Sequence, residues 1–266
     1  MKNNLLLMSV ISLLLMPTYT RAKVAELPID SLALYMSFDN VKGNKVEDLS
    51  GKGNHGEIKK AKVAKGKGKY GDAMEFNGKD SYVEIKHSDS LSIPNQVSVS
   101  VWVNWKDAGD GWLAVLANGK QGGPWENYGL FVNRGGKYFY FSLSLGGAGE
   151  HVTQKTTNDK TKPGEWTHCV CTYDGKSAKI YVNGKLQLDQ KRGDKLFGGK
   201  EALRLGHRNG SGHWYNGLID EVAVFSVALD PAQVKMAGNH IHKQVTPVEI
   251  KNKLAAVWGR LKTQCP

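Results

Sequence analysis

Three glycine-rich stretches of the sequence set aromatic rings beside amide and charged groups. Trp112 follows Asp107 to Gly111, residues 121–128 read Gln-Gly-Gly-Pro-Trp-Glu-Asn-Tyr, and residues 207–215 read His-Arg-Asn-Gly-Ser-Gly-His-Trp-Tyr. A ring offers an apolar face on which the C–H side of a sugar can stack, while amides, imidazoles and guanidinium groups meet its hydroxyls. Trp112, Trp125, Tyr128, Arg208, Asn209, His213 and Trp214 are therefore the candidate ligand-contacting residues. A second pattern is the lysine run Lys59, Lys60, Lys62, Lys65, Lys67 and Lys69. Such a run either attracts an acidic polysaccharide by steering and counterion release, or is a solvated loop.

The elements that must position these residues read as β-strands. Val97, Val99, Val101, Val103 and Trp105 fall on one face of a strand, with Ser98, Ser100 and Asn104 on the other, which predicts a half-buried antiparallel strand. On the same grounds Trp102, Trp105 and Trp166 read as core, and on the segment 138–140 either Tyr138 and Tyr140 or Phe139 alone faces a ligand. Asn183-Gly184 between two alternating segments is a strong hairpin signal, and Asp174-Gly175 one strand earlier completes a three-stranded meander. Asn77-Gly78-Lys79-Asp80 predicts a further hairpin, as does Arg134-Gly135-Gly136. The strands are short and no helical period is long enough to cover a parallel sheet, so the expected class is all-β: a two-sheet sandwich or a barrel.

Composition agrees. The 266 residues are 40% hydrophobic and include 31 glycines, too apolar for a disordered chain and without the periods of collagen or a coiled coil. The formal charge of +11 comes with only 23% charged residues, a diffuse basic surface. No recognition helix accompanies it, so nucleic acid is not an expected partner.

The termini read differently. Lys2, the apolar run from Leu5 to Met16, Pro17 and the small residues around Thr20-Arg21-Ala22 predict a signal peptide over residues 1–22, hence a secreted, cell-surface or periplasmic protein without a transmembrane span in the mature chain; the alternative is an uncleaved N-terminal anchor, for which the run is short. Asp230-Pro231 predicts an N-capped helix to about Ala237. Residues 237–266 then read as a linker and an amphipathic tail, with Leu254, Val257, Trp258 and Leu261 at helical spacing. That tail either packs on the sandwich or serves as a tether. Cys169 and Cys171 sit two apart on a strand, roughly 6.6 Å between Cα atoms, where a bridge is strained and two small buried hydrophobes are expected; Cys265 either stays free or pairs with another chain.

Seven phrases in register resemble one family: LYMSFD from Leu34, DLSGKGNHG from Asp48, GKYGDAMEFNG from Gly68, WTHCVCTYDG from Trp166, YVNG from Tyr181, LRLG from Leu203 and GLIDEVAVF from Gly217. The stretch 31–236 is similar to a LamG-like jelly-roll domain of the concanavalin A-like lectin/glucanase superfamily. The resemblance implies two antiparallel sheets, one convex and one concave, in extracellular proteins that mostly bind rather than cut, with ligands on the concave face and its rim loops. It also implies a structural Ca²⁺, a hard cation needing six to eight oxygens. Asp39, Asn54 and Asp220 match its expected ligands, and Asp220 lies within an apolar strand where an acid needs a partner. The alternative is that Asp39 and Asp48 cap turns while Asp220 pairs with a lysine.

Catalysis is not expected. Laminarinase-like members carry E-x-D-x-x-E, which puts two carboxylates on one strand face for retaining hydrolysis; this sequence has no such spacing, nor the strand phrases of alginate-lyase-like jelly rolls. His168 reads as a satisfied structural histidine. The expectation is an exported, non-catalytic module for a carbohydrate or glycoprotein, the alternative a structural or adhesive surface protein using the sandwich for protein contacts.

Overall fold

The computed structural model describes residues 26–106, 110–119, 127–146, 150–155, 161–210 and 212–244. In chain order its strands are β1 (Leu32–Met36), β2 (Val41–Lys42), β3 (Lys45–Val46), β4 (Gly56–Lys59), β5 (Lys62–Ala64), β6 (Ala73–Asn77), β7 (Tyr82–Ile85), β8 (Val97–Trp105), β9 (Trp112–Asn118), β10 (Tyr128–Asn133), β11 (Tyr138–Leu145), β12 (Glu150–Lys155), β13 (Thr167–Tyr173), β14 (Ser177–Val182), β15 (Lys185–Lys191), β16 (Leu203–Leu205) and β17 (Asn216–Phe225); the helix α1 (Pro231–Gln244) follows. One sheet runs β15-β14-β13-β8-β17-β6-β5 with β1 also on β17; the other runs β12-β11-β10-β9-β16-β7-β4-β3-β2. The expected all-β jelly-roll sandwich is what forms.

Alternation on each strand fills the space between the sheets. Val97, Val99, Val101, Val103 and Trp105 of β8 meet Leu113, Leu130, Val132, Phe139 and Phe141 of the facing sheet in one core. Each such side chain contributes about 1.5–3 kcal/mol relative to exposure. Cys169 and Cys171 belong to this layer as free thiols, their sulfurs 3.9 Å apart, far beyond a disulfide bond.

The meander β13-β14-β15 forms as the turns predict. Its Asn183-Gly184 corner has φ of +48° and +76°, the left-handed pair that a tight hairpin needs. The Arg134-Gly135-Gly136 turn likewise joins β10 to β11, with Asn133 opposite Tyr138. The Asn77–Asp80 turn is no hairpin: it carries the chain from β6 in one sheet to β7 in the other. The corner is closed locally, because Asn77 Oδ1 accepts from the backbone of Lys79 and Asp80 at 2.9 and 3.1 Å and from Ser81 Oγ at 2.9 Å. A side-chain-mimicked turn of this kind serves a crossing as well as a hairpin.

Strand β8 is buried on both faces rather than half-buried, because α1 packs on the outside of its sheet. Ser98 and Ser100 are fully buried, and Trp102 donates through Nε1 to the Gly238 carbonyl of the helix at 3.0 Å. The helix starts as expected, with Asp230 Oδ1 accepting from the backbone of Ala232 and Gln233 at 2.8 and 2.9 Å, while Gln233 Oε1 accepts in return from Asp230 N at 3.0 Å. It runs past Ala237 to Gln244, into the expected linker, since Val234, Ala237 and Ile241 extend one apolar stripe that packs with Tyr35, Val170, Tyr181 and Phe225. Among the described residues no helix is long and apolar enough to cross a membrane. The signal segment, Cys265 and the Leu254–Leu261 pattern lie outside the described residues.

Candidate functional site

Among the described residues no helix packs on the outer face of the other sheet, and strand alternation turns a row of rings onto it. On β11, Phe139 and Phe141 point into the core, so Tyr138 and Tyr140 point out. On β10 the residue opposite Tyr140 is Phe131, and on β9 Ala114 lies opposite Phe131 in turn. Trp112 packs against Tyr140 at 4.6 Å and Tyr138 at 5.9 Å between ring centroids, and Phe131 lies 5.9 Å from Tyr140. The small Ala114 and Ala117 keep the floor between these rings low.

The loop after β16 extends the row. Gly206 N donates to Val115 O at 3.0 Å and Ala114 N to His213 O at 3.2 Å, so the loop is tied to β9 at both ends. Tyr215 is its anchor, fully buried and edge-on to Phe76 at 5.9 Å. Between these ties His207 and Trp214 stack at 3.6 Å, both near Tyr82 of β7 at 5.7 and 6.2 Å. His213 lies 6.3 Å from Phe131, and the Arg208 guanidinium 5.9 Å from the same ring. At the far end Arg204 of β16 sits 4.9 Å from the Tyr82 ring and pairs with Glu84 at 2.5 Å. A ribbon of rings bordered by cations thus runs from Tyr138 to Arg204, the composition that stacks on sugar C–H faces and bonds hydroxyls at its rim.

Of the expected contact residues, Trp112, Arg208, His213 and Trp214 come together on this face. Arg208 is only 6% exposed, so it helps to build the floor. Asn209 is half-buried in the same loop, and Trp125 lies outside the described residues. Tyr128 is a correction. It begins β10 with its ring in the core and its hydroxyl donating to Leu91 O at 3.1 Å, because alternation puts it in phase with Leu130 and Val132. Tyr82, Phe131, His207 and Arg204 join this face without having been read as candidates: Phe131 and His207 are buried and build its floor with Arg208, while Tyr82 and Arg204 are half-buried; period-two alternation on β7 and β10 is the signal that places Tyr82 and Phe131 on it.

Four lysines of the run meet separate local partners. Lys59 pairs with Glu57 at 2.6 Å, Lys60 with Asp80 at 2.7 Å and Lys65 with Asp72 at 2.5 Å, while Lys69 lies 4.3 Å from the Trp102 ring. His168 is structural, as expected. It lies 5.0 Å from Trp102 with Nε2 at 2.9 Å from Ser100 Oγ, and burial first, then Lys69, push its pKa down to about 3.

A separate group of oxygens gathers where β17 exchanges one neighbour for another. Residues 216–219 pair with β6 and residues 222–225 with β1, and at the seam Glu221 adopts φ +52°. Asp220 Oδ2 accepts from Tyr70 N at 3.0 Å, Asp39 Oδ1 from Asp72 N at 2.8 Å, and Glu221 Oε2 from the Tyr35 hydroxyl at 2.8 Å. Burial raises the Asp220 pKa to about 7; burial, then the Asp220 charge, raises that of Glu221 to about 8. A Cβ at Gly68 would run into the carbonyl oxygens of Tyr70 and Asp72 and into Asp220 Oδ2, so carboxylate and main-chain oxygens crowd one spot. This donor set suits Ca²⁺. Among the described residues no three His, Cys, Asp or Glu side chains form a metal-binding group, so main-chain oxygens would have to complete the shell. Asn54 is not part of it: its amide donates to Ala33 O at 2.7 Å and Ser90 Oγ at 2.8 Å and accepts from Ser88 Oγ at 2.6 Å, toward the opposite end of β1. Asp48 does cap its turn, accepting from Ser50 N at 3.0 Å and Asn54 N at 2.8 Å.

Residues 77–235, more than half of the chain, match the family described as the concanavalin A-like lectin/glucanases superfamily. A curated relative, the adhesion G-protein coupled receptor V1 of Danio rerio, is 22% identical over 191 residues, covering 68% of this chain but 3% of the receptor. The binding domain of Paraclostridial Mosquitocidal Protein 1 superposes with a TM-score of 0.64 at 14% identity, covering 79% of this chain and 52% of that one. Domain 4 of AbnA, an extracellular GH43 arabinanase of Geobacillus stearothermophilus solved with arabinotriose, superposes with a TM-score of 0.58 at 24% identity, covering 78% of this chain and 98% of that domain.

Proposed function

This chain belongs to the concanavalin A-like lectin/glucanases superfamily, and from that premise we propose that it is an exported, non-catalytic module that binds carbohydrate, free or on a glycoprotein, across the outer face of its nine-stranded sheet. The observation that carries the reading is the ribbon from Trp112 to Tyr82, over which no helix lies among the described residues, while α1 covers the outside of the other sheet. The arabinanase domain solved with arabinotriose supports a saccharide ligand.

Two carboxylates do stand side by side on this face, since Glu57 of β4 lies opposite Glu84 of β7. Each is tied to a cation, Lys59 and Arg204 respectively. That is the arrangement of structural ion pairs rather than of an acid and a nucleophile, whose proton affinities must be set apart. Asp39, Asp220 and the carbonyls of the Gly68–Asp72 turn hold a structural Ca²⁺ in this reading, which fastens β1 to β17 and supplies no chemistry.

A glycan array with the purified protein tests the function: a defined saccharide hit supports it. A partner captured independently of sugar would favour the second reading, an adhesive surface protein, for which the likeness to an adhesion receptor speaks.

A further inference from the structure

The ribbon does not end at Tyr82. Two residues on along β7, about 7 Å away, Glu84 lines a cleft of about 550 Å³ that is walled by Lys45 of β3, Lys52 of the loop before β4, and Lys86 after β7. Glu57 and Glu84 face each other across β4 and β7 there, a like-charge pair that would weaken the sheet if left alone. Each is neutralised from outside the cleft, Glu57 by Lys59 at 2.6 Å and Glu84 by Arg204 at 2.5 Å. The three cleft lysines are exposed, and among the described residues none forms an ion pair. Lys52 sits on a braced loop: Asp48 Oδ1 accepts from Tyr35 N at 3.0 Å, and Asp48 N donates to His55 Nδ1 at 3.1 Å. The cleft is therefore lined by three lysines outside the described ion pairs, and through Glu84 it adjoins the stacking platform on the same face.

We infer that this cleft takes the anionic group of an acidic glycan, a uronate carboxylate or a sulfate ester, whose adjoining rings lie on the ribbon. The inference rests on the reading of the ribbon as a sugar platform. It moves the acidic-polysaccharide contact from the Lys59–Lys69 run, where Lys59, Lys60 and Lys65 are already engaged, to lysines far apart in sequence.

Titration calorimetry of the protein with trigalacturonic acid, with its neutral methyl ester and with a heparin tetrasaccharide tests it. Trigalacturonate should bind about tenfold more tightly than the ester at low ionic strength, the difference shrinking with salt; comparing the heparin tetrasaccharide with its desulfated form, which keeps the carboxylates, tells sulfate from carboxylate. The combined variant Lys45→Gln, Lys52→Gln, Lys86→Gln should erase the difference, while Lys62→Gln, Lys67→Gln on the other sheet should retain it. Equal binding of acid and ester, or a preference that survives the triple variant, overturns the cleft and leaves the ribbon standing. If none of these ligands binds, amide shifts of Lys52, His55 and Lys86 on titration with galacturonate alone decide the cleft, shifts there upholding it and their absence ending it, while the glycan array decides the ribbon separately.

Discussion

His207 and Trp214 lie face to face, their ring centroids 3.6 Å apart and their planes 8° from parallel. They are the two ends of one loop, so the stack closes that loop over the sheet and fixes which ring faces are left for a ligand. Stacked aromatic pairs contribute about 0.5–1.5 kcal/mol beyond their area, enough to hold a short loop in one arrangement.

Trp112 and Tyr128 should separate binding from stability. Replacing Trp112 with Ala removes a half-buried ring and should weaken saccharide binding about tenfold, at a smaller cost to the unfolding midpoint than the loss of Tyr128. Tyr128→Ala empties a core position and should cost about 3–5 kcal/mol in denaturant unfolding. A Trp112 variant that binds normally would take the ribbon out of the account.

Gly206→Ala should loosen the loop. Gly206 has φ +81°, and a Cβ there would strike the Phe76 ring. Backbone strain and overpacking together predict a loss of about 2–4 kcal/mol, seen as a lower unfolding midpoint and a weakened near-ultraviolet signal from Trp214.

Calcium should raise the melting temperature. At a hundredfold excess over its dissociation constant the linked stabilisation is about 2.7 kcal/mol, roughly 5–10 °C for a domain of this size. Asp220→Asn should remove the shift. Identical melting curves in EDTA and in calcium would discard the metal.

His168 should make the fold acid-sensitive. Its pKa falls from 6.5 to about 3 in the folded protein, so below pH 6.5 the unfolded chain takes up a proton that the native one refuses. Stability is then intact above pH 6.5 and declines as pH drops toward 3, by about 1.4 kcal/mol per unit for this group. His168→Gln should flatten that part of the profile relative to the parent, measured by urea unfolding from pH 7 to 4.

The parts of this fold legible in the sequence are those whose signals are local. The Asn183-Gly184 hairpin, the valine face of β8 and the Asp230-Pro231 helix start each depend on neighbours within a few residues. The Asn77–Asp80 corner was misread because the same side-chain turn serves a hairpin and a crossing, and only the pairing of distant strands decides between them. Tyr128 starts the strand that the Arg134-Gly135-Gly136 turn predicts, but the glycine-rich stretch before it suggests a ligand contact, whereas its phase with Leu130 and Val132 puts its ring inside. The ribbon itself was half legible. Trp112, His213 and Trp214 declare themselves by loop composition, whereas the approach of Tyr82 to His207 joins residues 125 positions apart. The family resemblance named Asp39, Asn54 and Asp220 together; Asp39 and Asp220 do lie at the β17 seam, whereas hydrogen bonds hold Asn54 elsewhere.

The position of α1 has a consequence for coupling between the two faces. The helix lies against the back of the eight-stranded sheet, so the last described residues stand on the side away from the rings. A ligand on the rings would therefore leave the packing of α1 untouched, and the helix can be altered without rebuilding the opposite face.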